Sequence, residues 1–281
     1  MKVAKKIIVD QLSALYPKQE LEGFSRLIFE KVTGYSPIEV HLNQNETISA
    51  ANLTQIKEIV NRLAQFEPIQ YILGETEFYG SKIKVNPSVL IPRQETEELV
   101  DWIIKDFRNT TPSILDMGTG SGCILVALMK NLPGASAKGW DISPEALDVA
   151  KQNARINNVS IDFQCVDILR TTIPNQNLKY DIIVSNPPYI RLSEKNLMHI
   201  NVTQFEPHHA LFVPDHDSLV FYDKIAGFAL NQLVSGGCLF FEINENSGPE
   251  TTKLLASKGL INLVLKKDIN GKDRMIRCQR P

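Results

Sequence analysis

The sequence predicts an α/β fold: a seven-stranded, mostly parallel, doubly wound sheet that carries a small N-terminal helical domain. Three observations predict it. From Ser113 onward, strand-like and helix-like segments alternate, the pattern of a parallel sheet with helices on both faces. Before residue 70 the apolar residues recur only at helical spacing. Near the end, Asn270-Gly271 stands between two apolar runs, a strong hairpin signal that gives the sheet an antiparallel edge. The 281 residues leave room for one large domain, or a large one and a small one.

Along the chain, Val3, Ile7, Ile8, Leu12 and Leu15 form the first helical stripe. Leu21, Phe24, Leu27, Ile28 and Val32 form a second, and Leu53, Ile56, Ile59, Val60 and Leu63 another. Breaks fall at "YP", "TGYSP" and "NQNE". Residues 1–72 are thus expected to form a small helical bundle, either a plain folding unit or a surface that docks a partner. Residues 73–92 alternate in "TEFYG" and "KIKVN" around a Gly-Ser turn and predict a hairpin linking the two domains. The main domain is placed at 93–281. It opens with the helix "QETEELVDWIIKDF", whose "ETEEL" acids suit the positive end of the helix dipole and read as a solvated start.

The sheet follows. "SILDMG", "ASAKGWD", "SIDFQCVD", "YDIIVSN" and "GCLFFEIN" read as strands, and the closing hairpin supplies two more. "GCILVALMKNL", "SPEALDVAKQNARINN", "SLVFYDKIAGFALNQLV" and "PETTKLLASKG" read as the intervening helices. Ser143 and Pro144 mark one helix start as cap and first residue.

Bulk properties exclude several classes. The composition, 43% hydrophobic and 22% charged, is that of a globular protein, and a net charge of −2 supplies no global field for nucleic acid. Cys123, Cys165, Cys238 and Cys278 form no CxxC pair, which argues against structural zinc and for a reducing, cytoplasmic setting. His208, His209 and His216 fit no zinc spacing, so no metal is expected. The N-terminus reads as an amphipathic helix rather than a signal peptide, and the longest apolar run, Ile124 to Met129, is too short to span a bilayer.

Two motifs carry chemistry. In "ILDMGTGSGCI" three glycines, Gly118, Gly120 and Gly122, follow the first strand of the sheet and open a helix, where backbone can approach a ligand closely. The spacing is not the dinucleotide fingerprint, because Cys123 stands where its third glycine belongs. Asp141 ends the next strand about 20 residues on, the offset of a carboxylate that grips ribose hydroxyls. Asp116 ends the first strand and could accept from an ammonium or order water. With no Walker lysine, this set favours S-adenosylmethionine, which has a ribose but no phosphates. The alternative is a tight turn with Asp141 as a helix cap.

In "YDIIVSNPPYI" a strand runs into Asn186, Pro187, Pro188 and Tyr189 at the carboxyl end of the sheet, where open α/β folds bind ligands. Asn186 offers a side-chain acceptor, the prolines a rigid backbone, and Tyr189 a flat surface. This suits a planar –NH₂ group. Accepting both of its hydrogens raises electron density on a nitrogen that is otherwise a poor nucleophile, and orients it. The alternative is a proline-terminated strand with a buried tyrosine.

With these stretches, and with "LIPRQETEELV" and "FEPHHALF", the sequence resembles the class I S-adenosylmethionine-dependent methyltransferases. Within them it is most similar to the protein-(glutamine-N5) methyltransferases that modify peptide chain release factors. The resemblance covers nearly the whole chain. It implies that Gly118, Thr119, Gly120, Ser121 and Gly122 line the cofactor and that Asp141 holds its ribose. Ile168 would lie against the adenine, where an aromatic is often found, and serve as an apolar wall. Apart from the resemblance, the position of Arg93 in "IPR" lets it reach the cofactor edge, and Phe205 and Glu206 before Pro207 are expected to shape the loop over the substrate. Asn186 would touch cofactor and substrate, with Pro187, Pro188 and Tyr189 holding the glutamine amide of a GGQ loop. The product would be S-adenosylhomocysteine, the partner a release factor, and the enzyme a monomer that needs neither nucleic acid nor membrane. The competing reading is an amino-methyltransferase of DNA or RNA bases, acting on adenine N6 or cytosine N4, which would need a basic channel and a flipped base. A nicotinamide-dependent oxidoreductase is disfavoured by the glycine spacing.

Overall fold

A computed structural model describes residues 1–170 and 179–281. The chain divides into two compact units, one of 1–74 with 199–205 and one of 75–198 with 206–281.

The first unit is helical: α1 (Lys2–Leu12), α2 (Lys18–Thr33), α3 (Pro37–Leu42), α4 (Ala50–Leu63) and α5 (Ile69–Leu73). Ala4, Ile8 and Leu12 of α1, Leu21, Phe24 and Ile28 of α2, and Ile56, Val60 and Leu63 of α4 are buried together. The stripe of α1 is rotated from its expected position. Val3 and Leu15 are exposed while the smaller Ala4 is buried, so the packing contact, not side-chain size, sets the inward face. The Tyr16 ring meets Phe24 edge-on at 5.0 Å, and its hydroxyl donates to Leu63 O at 2.7 Å.

The second unit opens with a hairpin, β1 (Glu75–Phe78) and β2 (Ser81–Lys84). Phe78 pairs with Ser81, so the turn is Tyr79-Gly80 and not Gly-Ser. With positive φ at both central positions this is a type I′ turn, which needs left-handed backbone at each. Gly80 (φ 68°) adopts it freely; Tyr79 (φ 47°) is held there by Glu97, whose carboxylate accepts from its N–H at 2.7 Å.

The remaining elements are α6 (Gln94–Asp106), β3 (Ser113–Met117), α7 (Cys123–Asn131), β4 (Ser136–Asp141), α8 (Pro144–Ile156), β5 (Asp162–Cys165), β6 (Tyr180–Ser185), β7 (Ile190–Arg191), α9 (Ile200–Phe205, in the first unit), β8 (Phe212–Val213), α10 (Val220–Gln232), β9 (Leu233–Glu242), α11 (Gly248–Ser257), β10 (Ile261–Lys267) and β11 (Asp273–Gln279). The seven-stranded sheet has the order β10-β11-β9-β6-β3-β4-β5. The five strands from β9 to β5 are mutually parallel, and β11 runs antiparallel to both its neighbours, β9 and β10. This is the fold class read from the sequence.

Alternation along the strands feeds two cores. Leu115, Met117, Ile183, Leu239 and Phe241 pack with Tyr222 and Ile225 of α10 and Leu255 of α11. On the opposite face Phe240 meets Trp102 of α6 edge-on at 5.7 Å. The strand order reverses between β3 and β6, so the loops after these two strands flank the crevice where such sheets bind ligands. Among the described residues no helix is long and apolar enough to cross a membrane.

Candidate active site

The loop between β3 and α7 is left-handed at Gly118 (φ 83°), Gly120 (φ 53°) and Gly122 (φ 75°), a conformation that side chains resist. It is sewn to the end of β4, because the N–H groups of Gly118 and Thr119 both donate to Trp140 O at 2.8 Å. Asp141 continues the seam. Its Oδ2 accepts from Gly120 N at 2.8 Å and its Oδ1 from Ser143 N at 3.0 Å. The helix after β4 is capped by Ser143 itself, through Ala146 N at 3.1 Å, so Asp141 is not needed as the cap. At Gly118 and Gly120 a Cβ would meet nothing within 4 Å, whereas at Gly122 it would lie 3.1 Å from the Ala150 Cβ. The first two glycines therefore face open space, and the third is a packing requirement.

That space is a cavity of about 330 Å³ in the second unit, lined by Gly118 to Ser121, Asp141, Ile168 and Asn186 to Pro188, among others. Apolar side chains of Met117, Ile142, Val166 and Phe221 supply much of its wall. Thr119 is buried in that wall, with its hydroxyl beside the Asp116 carboxyl. Ile168 also packs on the sheet core. Gly122 and Tyr189 are not among the lining residues, and neither is Asp116. Asp116 is fully buried beside the Thr119 hydroxyl, and burial, only partly offset by that hydroxyl, pushes its carboxyl up to about 7. Burial likewise pushes the Cys123 thiol up to about 12, leaving it an inert wall residue.

Beyond β6, Asn186, Pro187 and Pro188 reach the cavity, while the Tyr189 ring packs against the sheet core. The Tyr189 hydroxyl donates to Glu242 Oε1 at 3.1 Å. The other carboxylate oxygen of Glu242 accepts from Thr96 Oγ1 at 2.6 Å, and Thr96 Oγ1 in turn accepts from Asn186 Nδ2 at 3.3 Å. Glu242 is 1% exposed, and burial raises its pKa. The strand after Asn186 is held in place by a two-residue parallel pairing of β7 with β8, beginning with Ile190 N donating to Leu211 O at 3.0 Å. Arg93 also lines the cavity and pairs with Glu206 at 2.6 Å.

Thr96 and Glu242 are the residues that sequence reading missed. Glu242 shares a signal with Asp116 and Asp141, an acid at the carboxyl end of a core strand. "ETEEL" is not a solvated start: Thr96 is buried, Glu97 holds Tyr79, and Glu98 accepts from Ile269 N at 3.0 Å. Its acids face partners fixed by the tertiary fold, which the dipole argument does not see.

Comparison with known proteins adds a family to this geometry. Residues 7–74 match the family model described as the PrmC N-terminal domain, and residues 95–205 match the methyltransferase small domain. The chain is 46% identical over 273 residues to the release factor glutamine methyltransferase of Flavobacterium psychrophilum, covering 96% of this chain and 95% of that one. It is 41% identical to the protein of the same name from Bacteroides thetaiotaomicron, covering 97% and 98%. Among solved structures, the N-terminal domain of human METTL16 in complex with SAH shares the fold, with a TM-score of 0.51, 18% identity, and coverage of 72% of this chain and 76% of that one.

Proposed function

The chain belongs to the release factor glutamine methyltransferase family, and on that premise we propose that it transfers a methyl group from S-adenosylmethionine to the side-chain amide nitrogen (N5) of the GGQ glutamine in peptide chain release factors. One observation carries the reading. The Asn186 amide, with its Nδ2 committed to Thr96, lies in the wall of the same cavity as the glycine loop and Asp141.

The residues present fit the cofactor. Asp141 is fixed by two backbone N–H groups yet keeps lone pairs for ribose hydroxyls. The Thr119 hydroxyl, beside Asp116, is a polar group in the cavity wall, and the volume lies in the range of small-molecule pockets, about 300–1,000 Å³. Gly118 to Gly122 would hold the amino-acid portion, and Ile168 would wall the adenine. When bound, S-adenosylmethionine supplies an electrophilic methyl group on a sulfonium and leaves as S-adenosylhomocysteine.

The rest is done by this chain. The Asn186 side-chain carbonyl, with backbone acceptors beside the rigid Pro187 and Pro188, takes the two hydrogens of the glutamine amide. This draws electron density onto nitrogen and fixes its direction without a strong base; the methylated nitrogen then gives up one of its two hydrogens as a proton to solvent. Tyr189, whose ring packs on the sheet core, acts on the backbone of this loop through its Glu242 contact and not by lining the cavity. A glutamate in place of the glutamine would set acceptors against acceptors and be refused. Base methylation is the weaker reading: the relatives are named for release factors, and the net charge is −2. The enzyme would act as a monomer in the cytoplasm, with the release factor as its partner.

The test is incubation with methyl-labelled S-adenosylmethionine and, separately, a release factor, its glutamine-to-alanine and glutamine-to-glutamate variants, and DNA. Label should enter the first alone. Label in DNA, or in either variant at a comparable rate, would overturn the assignment.

A further inference from the structure

We propose that Glu242, acting through Thr96, is the positioning device that decides which end of the Asn186 side chain faces the substrate. The inference rests on the reading above, in which the Asn186 carbonyl accepts from the glutamine amide.

An asparagine amide has two nearly isosteric ends, one acceptor and one donor, so its direction is set by its hydrogen-bond partners. The partners here leave one solution. Burial raises the pKa of Glu242, opposed by the hydroxyls of Thr96 and Tyr189 and by the charge of Arg274, and in its ionised form the carboxylate can only accept. Glu242 Oε2 lies 2.6 Å from Thr96 Oγ1, so the single hydroxyl proton of Thr96 is spent on Glu242. What Thr96 presents to Asn186, 3.3 Å away, is then a lone pair, and only the –NH₂ end of Asn186 can meet it. Oδ1 has no protein partner among the described residues, and Asn186 lines the cavity. The carbonyl is thereby left for the incoming amide. Turned the other way, Asn186 would bring an –NH₂ against an –NH₂, and the site would repel its substrate.

The second oxygen of Glu242 accepts from the Tyr189 hydroxyl at 3.1 Å, so the same carboxylate ties both ends of the Asn-Pro-Pro-Tyr segment. Thr96 lies 90 residues before Asn186, and Glu242 lies 146 residues after Thr96. The three come from α6, the end of β6 and the end of β9, and none of the contacts is local. Thr96 and Glu242 are both buried, at 3% and 1% exposure, so water does not substitute for either. Neither is among the groups assigned to the cofactor or the glutamine. They act on Asn186.

The experiment is a double-mutant cycle read by single-turnover kinetics with a release factor. Thr96→Val keeps the side-chain shape and removes the hydroxyl, and Thr96→Ser restores it. Thr96→Val should lower the methyl-transfer rate about tenfold, the effect of one hydrogen bond of about 1.4 kcal/mol. Thr96 itself lines the cavity, but Val keeps its shape and leaves the groups that hold the glutamine in place, so the KM for the release factor should stay within about twofold. Thr96→Ser should recover the rate. In an Asn186→Ala background, Thr96→Val should cost nothing further, since no amide remains to orient. Glu242→Gln, which can accept from only one of its two donors, should also slow transfer, and the part of that loss that passes through Thr96 should vanish with Asn186→Ala. If Asn186→Ala is slow but Thr96→Val is normal, or if the two losses multiply, the positioning role is wrong and the reading of Asn186 stands. If Asn186→Ala itself transfers methyl normally, the reading of Asn186 fails and this inference falls with it.

Discussion

The guanidinium of Arg93 and the carboxylate of Glu206, 113 residues apart in the chain, form an ion pair at 2.6 Å, and the second oxygen of Glu206 accepts from Ile91 N at 3.1 Å. Two stretches that stood out separately in the sequence, "LIPRQETEELV" and "FEPHHALF", are therefore one structural feature. Glu206 is 4% exposed, so these partners take the place of water around its carboxylate. Arg93→Met should leave a nearly buried carboxylate with a single backbone donor. Arg93 is about a third exposed, so water recovers part of the loss, and the expected destabilisation is about 1–3 kcal/mol in urea unfolding. Glu206→Gln, which keeps the bond from Ile91 N, should cost less. Equal stability of the Arg93→Met protein would show that the pair carries no structural load.

The glycines of the cavity loop should separate by function. Gly120→Ala places a Cβ in open cavity and should cost about 1–2 kcal/mol of backbone strain, while reducing the thermal shift produced by S-adenosylmethionine. Gly122→Ala carries the same strain and also presses on Ala150, so it should be the less stable of the two by about 1 kcal/mol or more, with the ligand response altered less. Thermal denaturation with and without the ligand reads both effects. The reverse order would mean that the loop is remodelled by substitution.

What the sequence disclosed follows from the range of the interactions involved. The switch from helical to alternating periodicity at Ser113 is a local signal, and the sheet it implies is present. Asn270-Gly271 announced its turn because a left-handed backbone position has few residues to choose from, and Gly271 is at φ 77°. The Tyr79-Gly80 turn was misplaced by one residue because Tyr79 is a poor left-handed residue, held there by Glu97 from the following helix. Thr96 and Glu242 stayed hidden for the same reason at greater length. Their meeting depends on β9 lying beside β6, a fact of sheet order that no spacing along the chain encodes.

Asp141 offers a test of the cofactor side. Asp141→Ala removes the proposed ribose acceptor and also frees Gly120 N and Ser143 N. S-adenosylmethionine binding measured by calorimetry should weaken by about 1–3 kcal/mol, the range for hydrogen bonds to a charged group. Unchanged affinity in a folded variant would remove Asp141 from the site.

Asp116 should mark itself by pH. Its carboxyl is raised by burial to about 7 in the folded protein, against an ordinary value near 4 when unfolded. Below about pH 4 both states hold the proton and the group is neutral to stability. Between about pH 4 and 7 the folded state keeps a proton that the unfolded state has released, so stability falls as pH rises. Above about 7 the penalty is constant, of order 4 kcal/mol. Asp116→Asn cannot titrate, so its stability should lack this decline. Urea midpoints of both proteins from pH 4 to 8 should converge at the acid end apart from a fixed offset. Parallel curves throughout would mean that the buried carboxyl is charged when folded.

The final prediction concerns Asn186 itself. If its carbonyl accepts from the glutamine amide, that bond matters most as positive charge grows on the attacking nitrogen, so it is stronger in the transition state than in the ground state. Asn186→Ala should therefore lower kcat by roughly 10²–10³-fold, the loss typical of one preorganised polar group aimed at developing charge. KM for the release factor should change far less, since a contact made chiefly in the transition state is absent from ground-state binding. Cofactor affinity should fall only slightly, because the glycine loop and Asp141 are unaltered. The fold should survive, as the only protein hydrogen bond lost among the described residues is the 3.3 Å contact to Thr96. Asn186→Asp separates charge from geometry. It keeps an acceptor at the cavity but turns a second acceptor toward the Thr96 lone pair, so it should be slow as well. A variant that binds cofactor poorly yet transfers methyl normally at saturation would make Asn186 a cofactor clamp.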